Sequence, residues 1–144
     1  MPNARLGRRF GAILYDSLLV LALMILGTLP FIAARGGQAV EPGELRLLHQ
    51  LTLLLICYVF FVGFWSGHGR TLGLQSWRLR IETPEGKKPS IGQASLRFFA
   101  AILSWLPAGL GFWWSLVDRE HLAWHDRLSG TRLHHYPLEK TARR

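Results

Sequence analysis

The residues before Arg35 constrain the fold of this chain more than any other stretch. No charged side chain occurs from Ser17 to Ala34, and with residues 10–15 this length is enough for a helix to cross a hydrocarbon core of about 30 Å. Arginines, including Arg9, precede the stretch, and Asp16 lies inside it. An ionised Asp at the centre of a membrane helix costs roughly 2.5–3.5 kcal/mol. We therefore expect a group elsewhere to offset that cost.

Arg9 and Asp16 lie on the same face of this predicted helix, because seven residues make about two helical turns. Helical side chains lean toward the N-terminus, so Arg9 leans away from Asp16. The partner of Asp16 should therefore come from another element. Gly7, Gly11 and Ala12 are small residues near this face that would allow close packing of another helix.

The composition fits a membrane protein. Of 144 residues, 49% are hydrophobic, and they form blocks instead of following a period of 2 or 3.6 residues. The net charge of +8 lies at the ends of these blocks, where the positive-inside rule places it, so we do not expect nucleic acid as a partner. The lipid bilayer is the expected surrounding, and residues 1–144 are expected to form a single domain.

Three apolar segments separated by basic stretches predict an all-α integral membrane protein. The apolar segments cover about 10–34, 47–66 and 91–117, the basic loop covers 67–90 and the basic tail covers 118–144. The first two segments are predicted to be transmembrane helices. Basic residues favour the cytoplasmic side, so we place the N-terminus, the 67–90 loop and the C-terminal tail there.

The third apolar segment is interrupted by Pro107, Gly109 and Gly111. A proline removes a backbone hydrogen bond and kinks a helix, and each half alone is too short to cross. This pattern favours a bent or re-entrant helix pair. The alternative is a true third span, which Trp113 and Trp114 would suit as residues of the outer interface.

Arg97, early in the third segment, is the first candidate partner for Asp16, because the two lie at comparable depth from the cytoplasmic face. The alternative is that Arg97 reaches lipid phosphate and never meets Asp16.

The polar stretches predict short extramembrane elements. Short strands are possible around 78–83 and 131–136, and residues 71–77 could form an interfacial helix. His121 and His125 are spaced as two metal ligands on one helical face, but the set is incomplete, so a capped juxtamembrane helix is favoured. No nucleophile–base arrangement, phosphate loop or dinucleotide fingerprint occurs, so we expect neither enzymatic activity nor a cofactor.

Four motifs in order resemble a known family. They are RFGAILYD at 9–16, GRTLG at 69–73, WRLRIETPEGKKPSIGQASLR at 77–97 and HDRLSGT at 125–131. Together they resemble the RDD (Arg-Asp-Asp) family of small bacterial inner-membrane proteins. The resemblance implies Arg9, Asp16 and Asp126 as functional residues. Most members of the family have no known activity, a few are described as ion or proton antiporters, and transport is the usual guess for the rest.

Two functions remain open from the sequence. In the first, Asp16 exchanges a proton for a cation, Arg9 or Arg97 modulates it, and Asp126 acts as a gate. Two spans cannot enclose a pathway alone, so this function requires a homo-oligomer or another membrane protein. In the second, Arg9, Asp16 and Asp126 form a structural polar cluster in a scaffold or assembly partner.

Overall fold

A computed structural model describes residues 6–120 and 122–136. Two long helices dominate it, α1 (Leu6–Ala34) and α2 (Glu44–His68). Thr28 Oγ1, near the end of α1, lies 2.9 Å from Nε2 of His49, near the start of α2. The two helices therefore run antiparallel. The remaining elements follow in order: α3 (Leu72–Ser76), β1 (Leu79–Glu82), α4 (Ile91–Trp105), α5 (Leu110–Val117), α6 (Trp124–Ser129) and β2 (Arg132–His135).

Both α1 and α2 are long and apolar enough to cross a membrane, as the sequence predicts. Most of their large apolar side chains point outward: Leu18 and Leu26 are each 61% exposed and Leu55 is 59% exposed. Exposed apolar surface of this extent is unusual for a soluble monomer and normal for helices surrounded by lipid.

The third apolar segment forms a helical hairpin and not one long helix. Ala108 and Gly109 both have positive φ, 54° and 77°, and this reverses the chain between α4 and α5. The two helices then pack closely, since a Cβ at Gly111 would lie 2.6 Å from Cβ of Ser104. At 15 residues, α4 is about 22 Å long, too short to span. The break predicted at Pro107 and Gly109 is therefore present.

Two short strands, β1 and β2, form within the two stretches for which the sequence predicts them. β1 and β2 pair antiparallel, with Leu79 opposite His135 and Ile81 opposite Leu133. Leu79 and Ile81 are each 1% exposed, so one face of the pair is buried. This face joins a core with residues of α1, α2, α3 and α4, among them Ala12, Val62, Trp65, Leu74, Ala94 and Phe98.

Local signals fix the ends of the helices around this core. Gly69 ends α2 in the left-handed conformation, and its N–H donates to Trp65 O at 2.9 Å. Thr71 then caps α3 by accepting from Leu74 N. Ser90 and Gln93 form a capping box at the start of α4. These caps give hydrogen-bond partners to terminal backbone groups at the end of α2 and at the starts of α3 and α4.

Small residues of α1 allow α3 to approach it closely, as predicted for Gly11 and Ala12. Gly11 faces the indole of Trp77, and Gly73 of α3 lies against the backbone of Ala12. Nothing lies within 4 Å of a Cβ built at Gly7, so that residue does not take part in the contact.

Candidate functional site

An Arg–Asp–Arg cluster, formed by Arg9, Arg97 and Asp126, joins α1, α4 and α6. Arg9 Nη1 donates to Asp126 Oδ2 at 3.0 Å, and Arg97 Nη1 lies 2.6 Å from Asp126 Oδ1. The backbone N–H of Ala123 donates to Oδ2 at 3.0 Å. One carboxylate therefore connects three helices that are far apart in sequence.

The cluster is almost completely buried. Asp126 is 1% exposed, and Arg9 and Arg97 are each 4% exposed. Burial alone would raise the pKa of Asp126, but the guanidinium groups of Arg97 and Arg9 outweigh it and hold that pKa well below its usual range. The carboxylate is therefore ionised at every physiological pH.

Neighbouring groups of the cluster come from the chain's closing motif. Arg97 Nη1 donates to Thr131 Oγ1 at 2.9 Å, and Thr131 Oγ1 lies 2.7 Å from Ser129 Oγ. His125 Nε2 lies 3.6 Å from Asp126 Oδ1. The pKa of His125 is lowered to about 3, and burial is the main cause. The negative charge of Asp126 raises this pKa, whereas the positive charges of Arg97 and Arg9 lower it. The imidazole is consequently neutral at pH 7.

Asp16 has different partners from those predicted. Thr71 Oγ1 donates to its Oδ2, and Gly73 N donates to its Oδ1 at 2.8 Å. In the part of the chain that the structure describes, no arginine or lysine forms an ion pair with Asp16. The predicted Arg97–Asp16 pair is wrong, because Arg97 is directed to Asp126 and Thr131 instead.

Gly73 is needed where it stands because α3 meets α1 there without space for a side chain. A Cβ at Gly73 would lie 2.7 Å from Cγ of Asp16. The GRTLG motif at 69–73 thus supplies a helix end at Gly69, a hydroxyl donor at Thr71 and a close backbone approach at Gly73. Sequence reasoning found the motif but missed its role as the partner of Asp16.

A cavity of about 290 Å³ lies between α1, α2 and α4, beside both carboxylate sites. Its polar lining includes Arg9, Asp16, Arg97 and His125, and its apolar lining includes Ile13, Phe61, Trp65, Leu74, Phe98, Ala101, Ile102 and Trp105. Trp65 was not predicted as a site residue. Its position under Arg97, with Cζ 5.5 Å from the ring centroid, is visible only in the folded chain.

The predicted metal candidates lie partly outside the structure. His121 is outside the described residues, while His125 is buried within the polar cluster. Among the residues that are described, no group of three or more His, Cys, Asp or Glu side chains could hold a metal ion. The capped helix that the sequence favoured for this stretch is present as α6, which Gly130 ends in the left-handed conformation.

The two apolar helices, the helical hairpin and the buried Arg and Asp residues fit a helical membrane protein. The RDD family model matches residues 3–130, and the chain belongs to that family. The match includes Arg9, Asp16 and Asp126, the three residues that the resemblance marked. Comparison with curated proteins and with solved structures gave no match.

Proposed function

We propose that the protein transports ions or small solutes, with Asp16 as the site at which a proton is exchanged for a cation. The observation on which this depends is the placement of Asp16: a carboxylate within an otherwise apolar span that borders a cavity of about 290 Å³.

The partners of Asp16 suit exchange better than the predicted arginine would. A fixed guanidinium would keep the carboxylate ionised and would compete with an incoming cation. The hydroxyl of Thr71 and the N–H of Gly73 are neutral donors that hold the carboxylate in position without cancelling its charge. Asp16 is 5% exposed, so a cation bound there would lose most of its water.

Asp126 has a structural role in this proposal and not that of a gate. Its carboxylate contacts two guanidinium groups and a backbone N–H, and opening it would strand all three in the interior. Arg9 and Arg97 therefore anchor α1 and α4 around the cavity.

The small size of the chain implies that transport needs a partner protein. Two spans and a short hairpin do not enclose a path across a bilayer, so transport requires a homo-oligomer or another membrane protein. The basic termini and the basic 67–90 loop favour a cytoplasmic position for both chain ends, and we propose the inner membrane as the location. We propose neither an enzymatic activity nor a cofactor.

Vesicle assays test this function directly. The protein is reconstituted, and the internal pH is followed after Na⁺ or K⁺ is added outside. We expect a pH change for the wild type and a flat trace for Asp16→Asn, which keeps an oxygen acceptor but has no exchangeable carboxylate. The matched control is Glu41→Gln, because Glu41 is an exposed carboxylate paired with Arg35 at 3.5 Å. Equal traces for wild type and Asp16→Asn would exclude exchange at Asp16.

A non-catalytic scaffold is the second candidate, and one observation favours it. All three family residues hold elements together: Arg9 and Asp126 join α1 to α6, while Asp16 joins α1 to α3. If vesicle pH does not respond while Asp16→Asn changes the oligomeric state or the set of bound membrane proteins, the scaffold function is the better one.

A further inference from the structure

We propose that the cavity between α1, α2 and α4 binds the anionic headgroup of a membrane amphiphile. The headgroup contacts Arg97 and Trp65, and the apolar tail leaves between α1 and α4 toward the lipid.

Two donor atoms at the polar end of the cavity are unpaired within the part of the chain that the structure describes. Arg97 Nε and Trp65 Nε1 are buried nitrogens, and neither has a hydrogen-bond partner among the described residues. Trp65 is 8% exposed and lines the cavity together with Arg97. Buried donors are satisfied in most folded proteins, so two neighbouring orphans require an explanation.

The chemistry of these donors defines the ligand. A guanidinium and an indole donate hydrogen bonds and accept none, so the missing group is an acceptor. Carboxylate and phosphate oxygens suit a guanidinium best, since charge-assisted hydrogen bonds are the strong ones. Asp126 does not fill this role alone, because its one carboxylate is shared between Arg9 and Arg97.

Ligand binding must involve a small rearrangement. Both nitrogens are shielded from solvent in the structure, so the indole or the guanidinium has to rotate toward the cavity to reach an acceptor. The cavity next to them provides the space for that rotation.

Most of the cavity lining is apolar, and part of it reaches the lipid-exposed surface. Ile13 of α1 and Ile102 and Trp105 of α4 are among these lining residues. Ile102 and Trp105 are 41% and 54% exposed. A free anion would gain nothing from these side chains, whereas an acyl chain would bury them. The site therefore selects an amphiphile over inorganic phosphate, and it does not depend on cation exchange at Asp16.

Thermal unfolding of the full chain in a neutral detergent tests the site. The probes are oleate and lysophosphatidylglycerol, with monoolein as an uncharged probe carrying the same kind of tail, and with inorganic phosphate as a headgroup without a tail. We expect the two anionic amphiphiles to raise Tm saturably. Monoolein should need about tenfold higher concentration for the same shift, the value of one charge-assisted contact. Phosphate alone should have no effect.

Two pairs of variants locate the binding. Ala101→Phe enlarges a side chain that lines the cavity one helical turn after Arg97 and should abolish the shift, whereas Leu103→Phe, on the exposed side of the same helix, should retain it. Trp65→Phe removes the indole N–H. It should weaken the binding of the anionic probes, so that their potency approaches that of monoolein. Trp114→Phe, which does not line the cavity, should leave them unchanged.

Three results would overturn the proposal. An unchanged shift in Ala101→Phe would mean that the probes coat the helices and do not enter the cavity. Equal potency of monoolein and oleate would mean that the negative charge makes no contribution to binding. Equal potency of phosphate would make the site one for free anions. No ion gradient is present in these measurements, so their failure leaves cation exchange at Asp16 untouched.

Discussion

At the scale of single residues, two buried aspartates play different parts because their donors differ. Asp126 contacts two guanidinium groups and is fixed as an anion. Asp16 contacts a hydroxyl and a backbone N–H, which position its carboxylate without neutralising it. Asp126 is thus part of a charged anchor, whereas the charge of Asp16 is not balanced by a cation, although both aspartates are buried.

Removing the charge of Asp126 should be among the most damaging changes at this scale. Asp126→Asn leaves the buried guanidinium groups of Arg9 and Arg97 without their counter-ion, and we expect a loss of about 3–5 kcal/mol. Thermal unfolding in detergent measures the loss. Glu41→Gln is the control, because its exposed pair with Arg35 should change stability by at most about 1 kcal/mol. A loss no larger than that of the control would mean that the cluster is not an anchor.

The neutral His125 predicts a dependence of stability on pH. The unfolded chain takes up a proton at this residue below about pH 6.5, while the folded chain does not until about pH 3. Above pH 6.5, His125 therefore does not lower the free energy of unfolding. As the pH falls from 6.5 toward 3, protonation of this residue in the unfolded chain lowers it. At pH 5 the loss should be about 2 kcal/mol.

Comparison of the wild type with His125→Gln isolates this effect. The pKa values of His134 and His135 are also lowered, first by burial, so they add a slope of the same sign in both proteins. The decrease in Tm between about pH 7.5 and about pH 5 should be smaller for His125→Gln than for the wild type. An identical fall in the two proteins would contradict a buried neutral imidazole.

At the scale of elements, the short helix α3 is held by its fit against α1. Its five residues would not form a stable helix alone, because nucleation of so short a helix is unfavourable. Thr71 and Gly73 attach it to Asp16, and Leu74 is buried in the core. The positions of α1 and α3 are therefore mutually dependent.

Gly73→Ala tests this dependence. Alanine favours helices intrinsically, but its Cβ would lie 2.7 Å from Cγ of Asp16, so one element must move. We expect a loss of about 1–3 kcal/mol, the range for overpacked sites. The matched control is Gly67→Ala in α2, where nothing lies within 4 Å and alanine should be neutral or stabilising. Tm values in the same detergent decide the outcome, and equal effects of the two changes would contradict the close contact.

At the scale of the whole molecule, the helical hairpin brings the chain back to the end from which α4 starts. Trp113 of α5 contacts Phe10 at the start of α1, with ring centroids 6.2 Å apart, and α6 joins the same end through Asp126 and Arg9. The start of α1, the end of α2, the strand pair and α6 therefore gather at one end of the helix pair. The loop between α1 and α2 lies at the other end.

Cysteine labelling measures this arrangement. In a Cys57→Ala background, single cysteines replace Gln38, Glu85 or Arg119, all of which are exposed. An impermeant thiol reagent is applied to right-side-out and inverted vesicles. We expect positions 85 and 119 to react from one side and position 38 from the other. Reaction of position 119 from the same side as position 38 would mean that residues 91–117 form a third span.

Much of the architecture could be predicted from the sequence because local physics determines it. Continuous apolar length gives α1 and α2, Pro107 and Gly109 break the third segment, and alternating residues give β1. These features depend on hydrocarbon thickness, backbone hydrogen bonding and strand periodicity, which act within a short stretch of chain. The sequence also placed Asp16 on a face that needed a partner from another element.

The partners of the charged residues depend on contacts between distant parts of the chain. Charge complementarity suggested Arg97 for Asp16, but Arg97 pairs with Asp126, and Asp16 is bound by Thr71 and Gly73. The physical reason is that neutral donors can take the place of a cation beside a buried carboxylate, and a sequence does not record where a backbone N–H points. The cavity has the same origin, since it exists only where three separate helices fail to close against one another.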